Sequence, residues 1–494
     1  MKIRCALLFV LAAATVASAQ VTLPRILSSH MVVERDLPVH VWGMAAPDEA
    51  VSVEFRGERR TAKADRLGRW SAYLTPGAAG GPFAMTVRGA SGPAIALEDI
   101  LVGDVWLASG QSNMEFEMYK AATAAQDLPH AANPQIRLLI VKRDAAEYAK
   151  DDMETEGWKA STPESAHDFS AVAWYFAREI EAREHVPVGV IDSTVGGTLA
   201  DAWTRMAALG EDAALAPVFA ERGKMTDREV ASLLTDVDRK KQVEEAKAQG
   251  KPTPQFPWHP PLATWAPGGL WNGMISPLTP FAIRGVIWYQ GESNSALARA
   301  PLYNRVFRTL IEDWRRQWGI GDFPFLYVQI ANFKSTPQED WAALRAQQVQ
   351  TLGLRNTAMA VTVDIGNPDD VHPTDKVDVG HRLALAARAL SYGEAVGYQG
   401  PMFRQATTEG GAIRAWFDHA AGLTTKNGEL AAFEVAGSDG KFHAASAKLD
   451  GATVVATSPE VAEPLLVRYG WSNSPQCNLF NGDGLPASPF TSER

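Results

Sequence analysis

Residues 21–100 alternate apolar and polar positions in short runs. Val39-His40-Val41-Trp42-Gly43 and Val51-Ser52-Val53-Glu54-Phe55 turn every second side chain to one face, the period of a half-buried strand. Gly57, Gly68 and Gly80-Gly81-Pro82 punctuate these runs. The pattern predicts an antiparallel β sandwich, or half of one. From about residue 101 the texture changes. Largely apolar runs at Val105–Ala108, Val188–Ile191, Val286–Tyr289, Phe325–Ile330 and Ala358–Val363 read as buried strands. Between them Ala171–Glu184, Tyr303–Trp318 and Val379–Leu390 carry apolar residues at helical spacing. Strands alternating with helices predict a parallel sheet covered on both faces, with its active site beyond the carboxyl ends of the strands.

Residues 207–256 break that rhythm. Asp227–Lys247 is charged and reads as a solvated helix, and Pro252, Pro254, Pro257, Pro260 and Pro261 follow it. This stretch is expected to be an insertion. After about residue 400 strand-like runs return at Ala412–Phe417, Ala452–Thr457 and Leu465–Tyr469. The expected plan is a β-rich domain at 20–100, an α/β domain at 101–399 with an insertion near 207–262, and a β-rich segment at 400–494. That last segment either stands alone or completes the N-terminal one.

The first nineteen residues change the picture of where the chain works. Lys2 and Arg4 precede an apolar stretch from Cys5 to Val16, and Ala17-Ser18-Ala19 stands before Gln20. This is the layout of a secretory signal peptide, with an apolar core too short to span a bilayer. An exported, periplasmic or extracellular protein is expected. Only Cys477 would remain after cleavage, so no internal disulfide and no Cys-based metal site is expected. The 494 residues are 46% apolar and 21% charged, an ordinary globular balance, with a net charge of −10. An acidic chain without basic runs argues against a nucleic-acid surface. The oligomeric state is not readable.

Candidate chemistry follows the predicted strands. In Ala108-Ser109-Gly110-Gln111-Ser112-Asn113-Met114 a strand ends, a glycine permits a tight turn, and Ser112 stands where a helix would begin. The plainer alternative is that Ser112 merely caps that helix. In Asp364-Ile365-Gly366-Asn367-Pro368-Asp369-Asp370-Val371-His372-Pro373 the D-x-x-H spacing would let Asp369 hold one ring nitrogen of His372 and leave the other as a base. Gln290 and Asn294, in Trp288-Tyr289-Gln290-Gly291-Glu292-Ser293-Asn294, are amide donors suited to an oxyanion. Gly196 or Gly197, in Ser193-Thr194-Val195-Gly196-Gly197-Thr198, offers a backbone N–H to the same charge.

Taken together these blocks are recognisable. GQSNM (Gly110–Met114), STVGGT (Ser193–Thr198), WNGMI (Trp271–Ile275), WYQGESN (Trp288–Asn294) and DDVHP (Asp369–Pro373) resemble, in order and over most of the chain, the sialate O-acetylesterase family of the SGNH (GDSL-type) hydrolases. That superfamily also holds acetylxylan and related carbohydrate esterases. The resemblance implies an α/β, flavodoxin-like parallel sheet flanked by antiparallel sandwich- or jelly-roll-like segments. It implies Ser112 as nucleophile, His372 as base and Asp369 as its partner, with Asp370 and Asp364 as alternatives. Ser112 N–H, a glycine of the Gly196-Gly197 pair, and Gln290 or Asn294 would form the oxyanion hole. Val195 stands where the family often carries a Trp.

An acetyl ester of a sugar is the implied substrate class, sialic acid, xylan and xyloglucan being equally open. No metal or cofactor is implied. Trp203, Trp265, Trp271 and Trp288 lie near the site blocks and could cover a sugar face, although burial in the core is the commoner fate of such residues. Two rivals compete. One is a non-catalytic carbohydrate-binding protein on an esterase scaffold. The other is a glycosidase using Glu115, Glu117 or Glu292, which would need facing carboxylates; residues two apart on a helix do not face each other.

Overall fold

The computed structural model describes residues 20–90, 92–254 and 262–493. The expected export segment 1–19, and Pro257, Pro260 and Pro261, lie outside the described residues.

The N-terminal strands are β1 (Val32–Glu34), β2 (Val39–Met44), β3 (Ala50–Phe55), β4 (Glu58–Lys63), β5 (Arg69–Leu74) and β6 (Gly80–Arg88). In β3 and β5 every second residue is buried, as the alternation predicts. The next strand, β7 (Ile95–Gly110), is sixteen residues long. Its first half pairs with β6 and with β1, and its second half enters the central sheet. An expected boundary at residue 100 therefore falls inside a single strand. One continuous core runs from Val41 and Phe55 through Trp106 to Phe307 and Leu383.

The central sheet adds β8 (Asn133–Ile140), β9 (Lys159–Ser161), β10 (Val188–Thr194), β11 (Gly285–Tyr289), β12 (Phe325–Gln329) and β13 (Thr357–Val361). Its order is β13-β12-β11-β7-β10-β8-β9, parallel except for the edge strand β9. The inner strands are buried along their whole length, which explains their largely apolar runs. Helices Ala171–Glu184, Tyr303–Trp318 and Val377–Ser391 match the periodic segments. Helix Ala216–Ala248 extends the expected charged helix toward its start.

Beyond β13 the strands are antiparallel. Met402–Glu409, Ala412–Asp418, Thr453–Thr457 and Ser446–Asp450 form one sheet. Phe433–Ala436 and Leu466–Tyr469 anchor a second. Both bury side chains in a separate core around Val435, Val454, Val467 and Tyr469. Among the described residues these strands pair only with one another, so the C-terminal segment adds nothing to the N-terminal sheets.

Candidate active site

Chain connections leave β7 for β8 and β10 on one side, and the later strands lie on the other. The crevice above β7 is thus the switch point where ligands of such sheets bind. Gly110 ends the strand with φ +135°, and a Cβ there would stand 2.2 Å from Tyr289 O; only glycine permits the turn. Gln111 is the N-cap and Ser112 opens a one-turn helix, Ser112–Glu115. Ser112 therefore is not the capping residue. The Gln111 side chain accepts the Ser293 N–H at 3.2 Å, which sews the Ser112 turn to the loop after β11.

His372 reaches this turn from the loop after β13. Its Nε2 lies 2.8 Å from Ser112 Oγ, although 260 residues separate the two. Burial, and next the positive charge of Lys376, hold the imidazole below its usual pKa; Asp370 acts in the opposite sense.

The partner carboxylate differs from the expectation. Asp369 points to Lys334 Nζ at 3.1 Å, and its side chain is 80% exposed. Asp364 is held by two bonds from Arg382, both 2.7 Å. Asp370 is the acid beside His372. Its Oδ1 accepts the His372 backbone N–H at 2.8 Å and stands 3.7 Å from Nδ1, beyond a direct hydrogen bond. The i to i+2 Asx turn decides this: it folds Asp370 back over His372 and sends Asp369 outward.

The amide donors also differ. Gln290 is fully buried; its Nε2 donates to Thr198 O at 3.1 Å and Asn294 Oδ1 at 2.6 Å. An amide has two N–H donors, so Gln290 has none left for an oxyanion. Asn294 Oδ1 also accepts the Ala200 N–H at 3.0 Å. Neither residue lines the cavity at Ser112. They tie the loop after β10 to the loop after β11 instead. Gly196 does lie at the site: a Cβ there would stand 3.3 Å from Ser112 Cβ. Its N–H donates to Glu115 Oε2 at 2.7 Å. Val195 is buried, and two indoles bond this loop: Trp265 Nε1–H donates to Gly197 O at 2.7 Å and Trp203 Nε1–H to Thr198 Oγ1 at 2.9 Å.

A cavity of 720 Å³ opens over Ser112 and His372. Trp265, Phe333 and Trp341 supply its aromatic walls. Trp203, Trp271 and Trp288 are core residues instead, and Trp288 packs edge-on against Trp203 and Trp314. Of the carboxylates considered for a glycosidase, Glu117 pairs with Lys120 and Glu115 with Arg143. Glu292 belongs to a chain the sequence pattern did not reveal. Lys376 Nζ donates to Asn113 Oδ1 at 2.6 Å, and Asn113 Nδ2 donates to Glu292 Oε1 at 2.6 Å and Val371 O at 2.9 Å. Burial lowers Lys376 to about 7 and raises Glu292. The only signals for this chain were adjacency: Asn113 follows Ser112, and Lys376 stands four positions after His372, at the N-cap of the next helix.

Among the described residues Glu34, Asp36 and Asp104 are close enough to share a cation. They sit at the opposite end of β7's parallel segment, where Arg35 and Arg284 already pair with them. Among the described residues no helix is long and apolar enough to cross a membrane.

The comparisons with known proteins agree with this architecture. The profile of a family described as "Carbohydrate esterase, sialic acid-specific acetylesterase" matches residues 261–389. The sialate O-acetylesterase of Mus musculus is 28% identical over 508 residues, covering 92% of this chain and 90% of its own. That of Homo sapiens is 29% identical over 502 residues, covering 91% and 88%. A crystal structure of a carbohydrate acetylesterase from Xanthomonas citri superposes with a TM-score of 0.83 at 39% identity, covering 96% of this chain and all of the other. On that similarity, which covers nearly the whole chain, the chain belongs to the carbohydrate acetylesterase family and is a carboxylic ester hydrolase.

Proposed function

We propose that Ser112 is the nucleophile and His372 the general base of an exported esterase that removes acetyl groups from sugars. The observation that carries this reading is the 2.8 Å contact between Ser112 Oγ and His372 Nε2 at the floor of the 720 Å³ cavity.

His372 Nε2 takes the Ser112 proton as Oγ attacks the acetyl carbonyl carbon. The carbonyl oxygen becomes an oxyanion, met by the backbone N–H groups of Ser112 and Gly196. The tetrahedral intermediate collapses, the C–O bond to the sugar breaks, and His372 gives its proton to the departing hydroxyl. Water then attacks the acetyl-serine with its proton passing to His372, and acetate leaves as that proton returns to Ser112. Asp370 stabilises the imidazolium from 3.7 Å through charge more than through a fixed hydrogen bond. The lowered pKa of His372 keeps it a free base at neutral pH.

Trp265, Phe333 and Trp341 suit the C–H face of a sugar ring. Export is supported by the signal-like residues 1–19. Acetate release should be measured across acetylated sialic acids, acetylated xylan and acetylated xyloglucan, alongside 4-nitrophenyl acetate. Ser112→Ala is expected to lower every rate by at least roughly a thousandfold. Equal hydrolysis by variant and wild type would remove Ser112 as the nucleophile.

A further inference from the structure

We propose that Glu115 is the residue by which this site tells a sugar ester from a simple ester. It covers the Gly196 N–H and releases it when sugar hydroxyls take over its carboxylate. The proposal rests on Ser112 being the nucleophile.

Glu115 lies one helical turn after Ser112, on the same side of the short helix. Its Oε2 accepts the Gly196 N–H at 2.7 Å, and a Cβ on Gly196 would stand 2.9 Å from that oxygen and 3.3 Å from Ser112 Cβ. The donor beside the nucleophile is therefore held by an anion. An oxyanion forming on the acetyl group would compete with Glu115 for that N–H, and the two negative charges would repel. Glu115 must turn away for the donor to act.

The rest of the wall allows it to turn. Glu115 Oε1 is already paired with Arg143, whose Nε lies 3.1 Å away and whose Nη2 also bonds it. Leaving Gly196 does not strand the carboxylate without a counter-charge. Both residues line the cavity. The Glu115 side chain is 21% exposed and that of Arg143 62%. A carboxylate accepts and a guanidinium donates, so the pair matches neighbouring hydroxyls on a sugar ring. Those hydroxyls supply the bond that replaces Gly196 N–H; an aryl acetate has none to offer.

The test compares kcat/KM for 4-nitrophenyl acetate with that for the acetylated sugar wild type hydrolyses fastest. Glu115→Ala is expected to raise the aryl acetate rate about tenfold or more, since one oxyanion donor is worth roughly a hundredfold to a thousandfold. The same variant should lower the sugar ester rate about tenfold through KM. Glu115→Gln retains an acceptor for Gly196 and should show little gain on the aryl ester. Arg143→Ala should raise KM for the sugar ester without speeding the aryl ester. If Glu115→Ala moves both substrates together in either direction, or leaves the aryl ester unchanged, the proposal is overturned. Should Glu115→Ala fail to fold, Arg143→Ala decides: equal effects on both substrates overturn it. Ser112→Ala separates the two readings. Activity retained there removes the nucleophile assignment; activity lost there, with no divergence at Glu115, removes only this inference.

Discussion

At the scale of single residues, the charges around His372 make its pH behaviour checkable. Lys376 lies on the helix side of the loop, Asp370 on the loop itself, and Lys120 and Glu117 on the segment after Ser112. Lys376 and Lys120 lower the imidazole pKa, and Asp370 and Glu117 raise it, with burial the largest cause and lowering it. A base with a depressed pKa stays deprotonated to lower pH, so the acid limb of kcat/KM should fall below the usual imidazole value near 6.5. Lys376→Met removes a lowering charge and should move that limb to higher pH. Asp370→Asn removes a raising charge and should move it lower, with only a modest loss of rate because the contact is 3.7 Å. Asp369→Asn should leave the limb where it is. A pH profile of the three variants settles the partner carboxylate. The D-x-x-H spacing was legible in the sequence, and the adjacent Asp370 was visible beside it. Which of them faces the ring depends on an Asx turn whose dihedrals no spacing reveals.

At the scale of elements, helix Trp341–Thr351 escaped the hydrophobic pattern although it braces the cavity wall. Its inward face carries Arg345 and Gln348, both fully buried, so polar residues stand where the helical period calls for apolar ones. They are buried because they close strand ends. Gln348 accepts the Ile330 N–H at 3.0 Å and donates to Val328 O at 3.0 Å. Arg345 donates to the carbonyls of Ile330, Ala331, Ser472 and Asn473. These bonds fasten the C-terminal segment to the loop that bears Phe333, whose N–H donates to Asn473 O at 3.2 Å. Burial, partly opposed by nearby groups that favour the charge, lowers the Arg345 pKa to about 10, and the side chain remains charged at neutral pH. Arg345→Ala would take a donor from four carbonyls, and those of Ile330 and Ala331 lie in the interior. The expected loss is about 3 kcal/mol or more, read as a lower urea midpoint, together with a raised KM from a loosened Phe333. Arg345→Lys should recover only part of it, since an ammonium lacks the planar fork.

At the scale of the whole molecule, the N-terminal sheets and the central sheet are joined through β7 and through a charged cluster at the foot of the fold. Glu34 on β1 accepts the Val105 N–H at 3.0 Å and meets Arg284, just before β11, at 3.2 Å. Burial, and next the neighbouring Asp104, outweigh that arginine and lift Glu34 to about 7. A carboxyl raised on folding gives its full stability below the unfolded value near 4.5, and that stability is lost as pH rises through 7. The shift from 4.5 to about 7 corresponds to about 3 kcal/mol at most. Asp192, also lifted to about 7 by burial, adds to the same window. The wild-type urea midpoint should therefore fall between pH 5 and pH 8. Glu34→Gln should fall less steeply, keeping the part due to Asp192. An unchanged slope in the variant would refute the assignment to Glu34.

The sequence by itself determined most of the strands and helices, though not Asn133–Ile140, Lys159–Ser161 or Trp341–Thr351, and the segments that carry the chemistry. Largely apolar runs and helical spacing are local consequences of which faces must be buried, so Ala171–Glu184 and Tyr303–Trp318 could be read without coordinates. The glycine before Ser112 was legible for the same reason, because the turn it makes is local. Tertiary structure decided what lies opposite each side chain. It spent the Gln290 amide on Thr198 and Asn294 and buried three of the four candidate tryptophans. It set Glu115 on Gly196 and Lys376 beneath the Ser112 turn. It also ran β7 across the expected domain boundary. Each of these outcomes depends on contacts between residues far apart in the chain, and periodicity along the chain carries no information about such contacts.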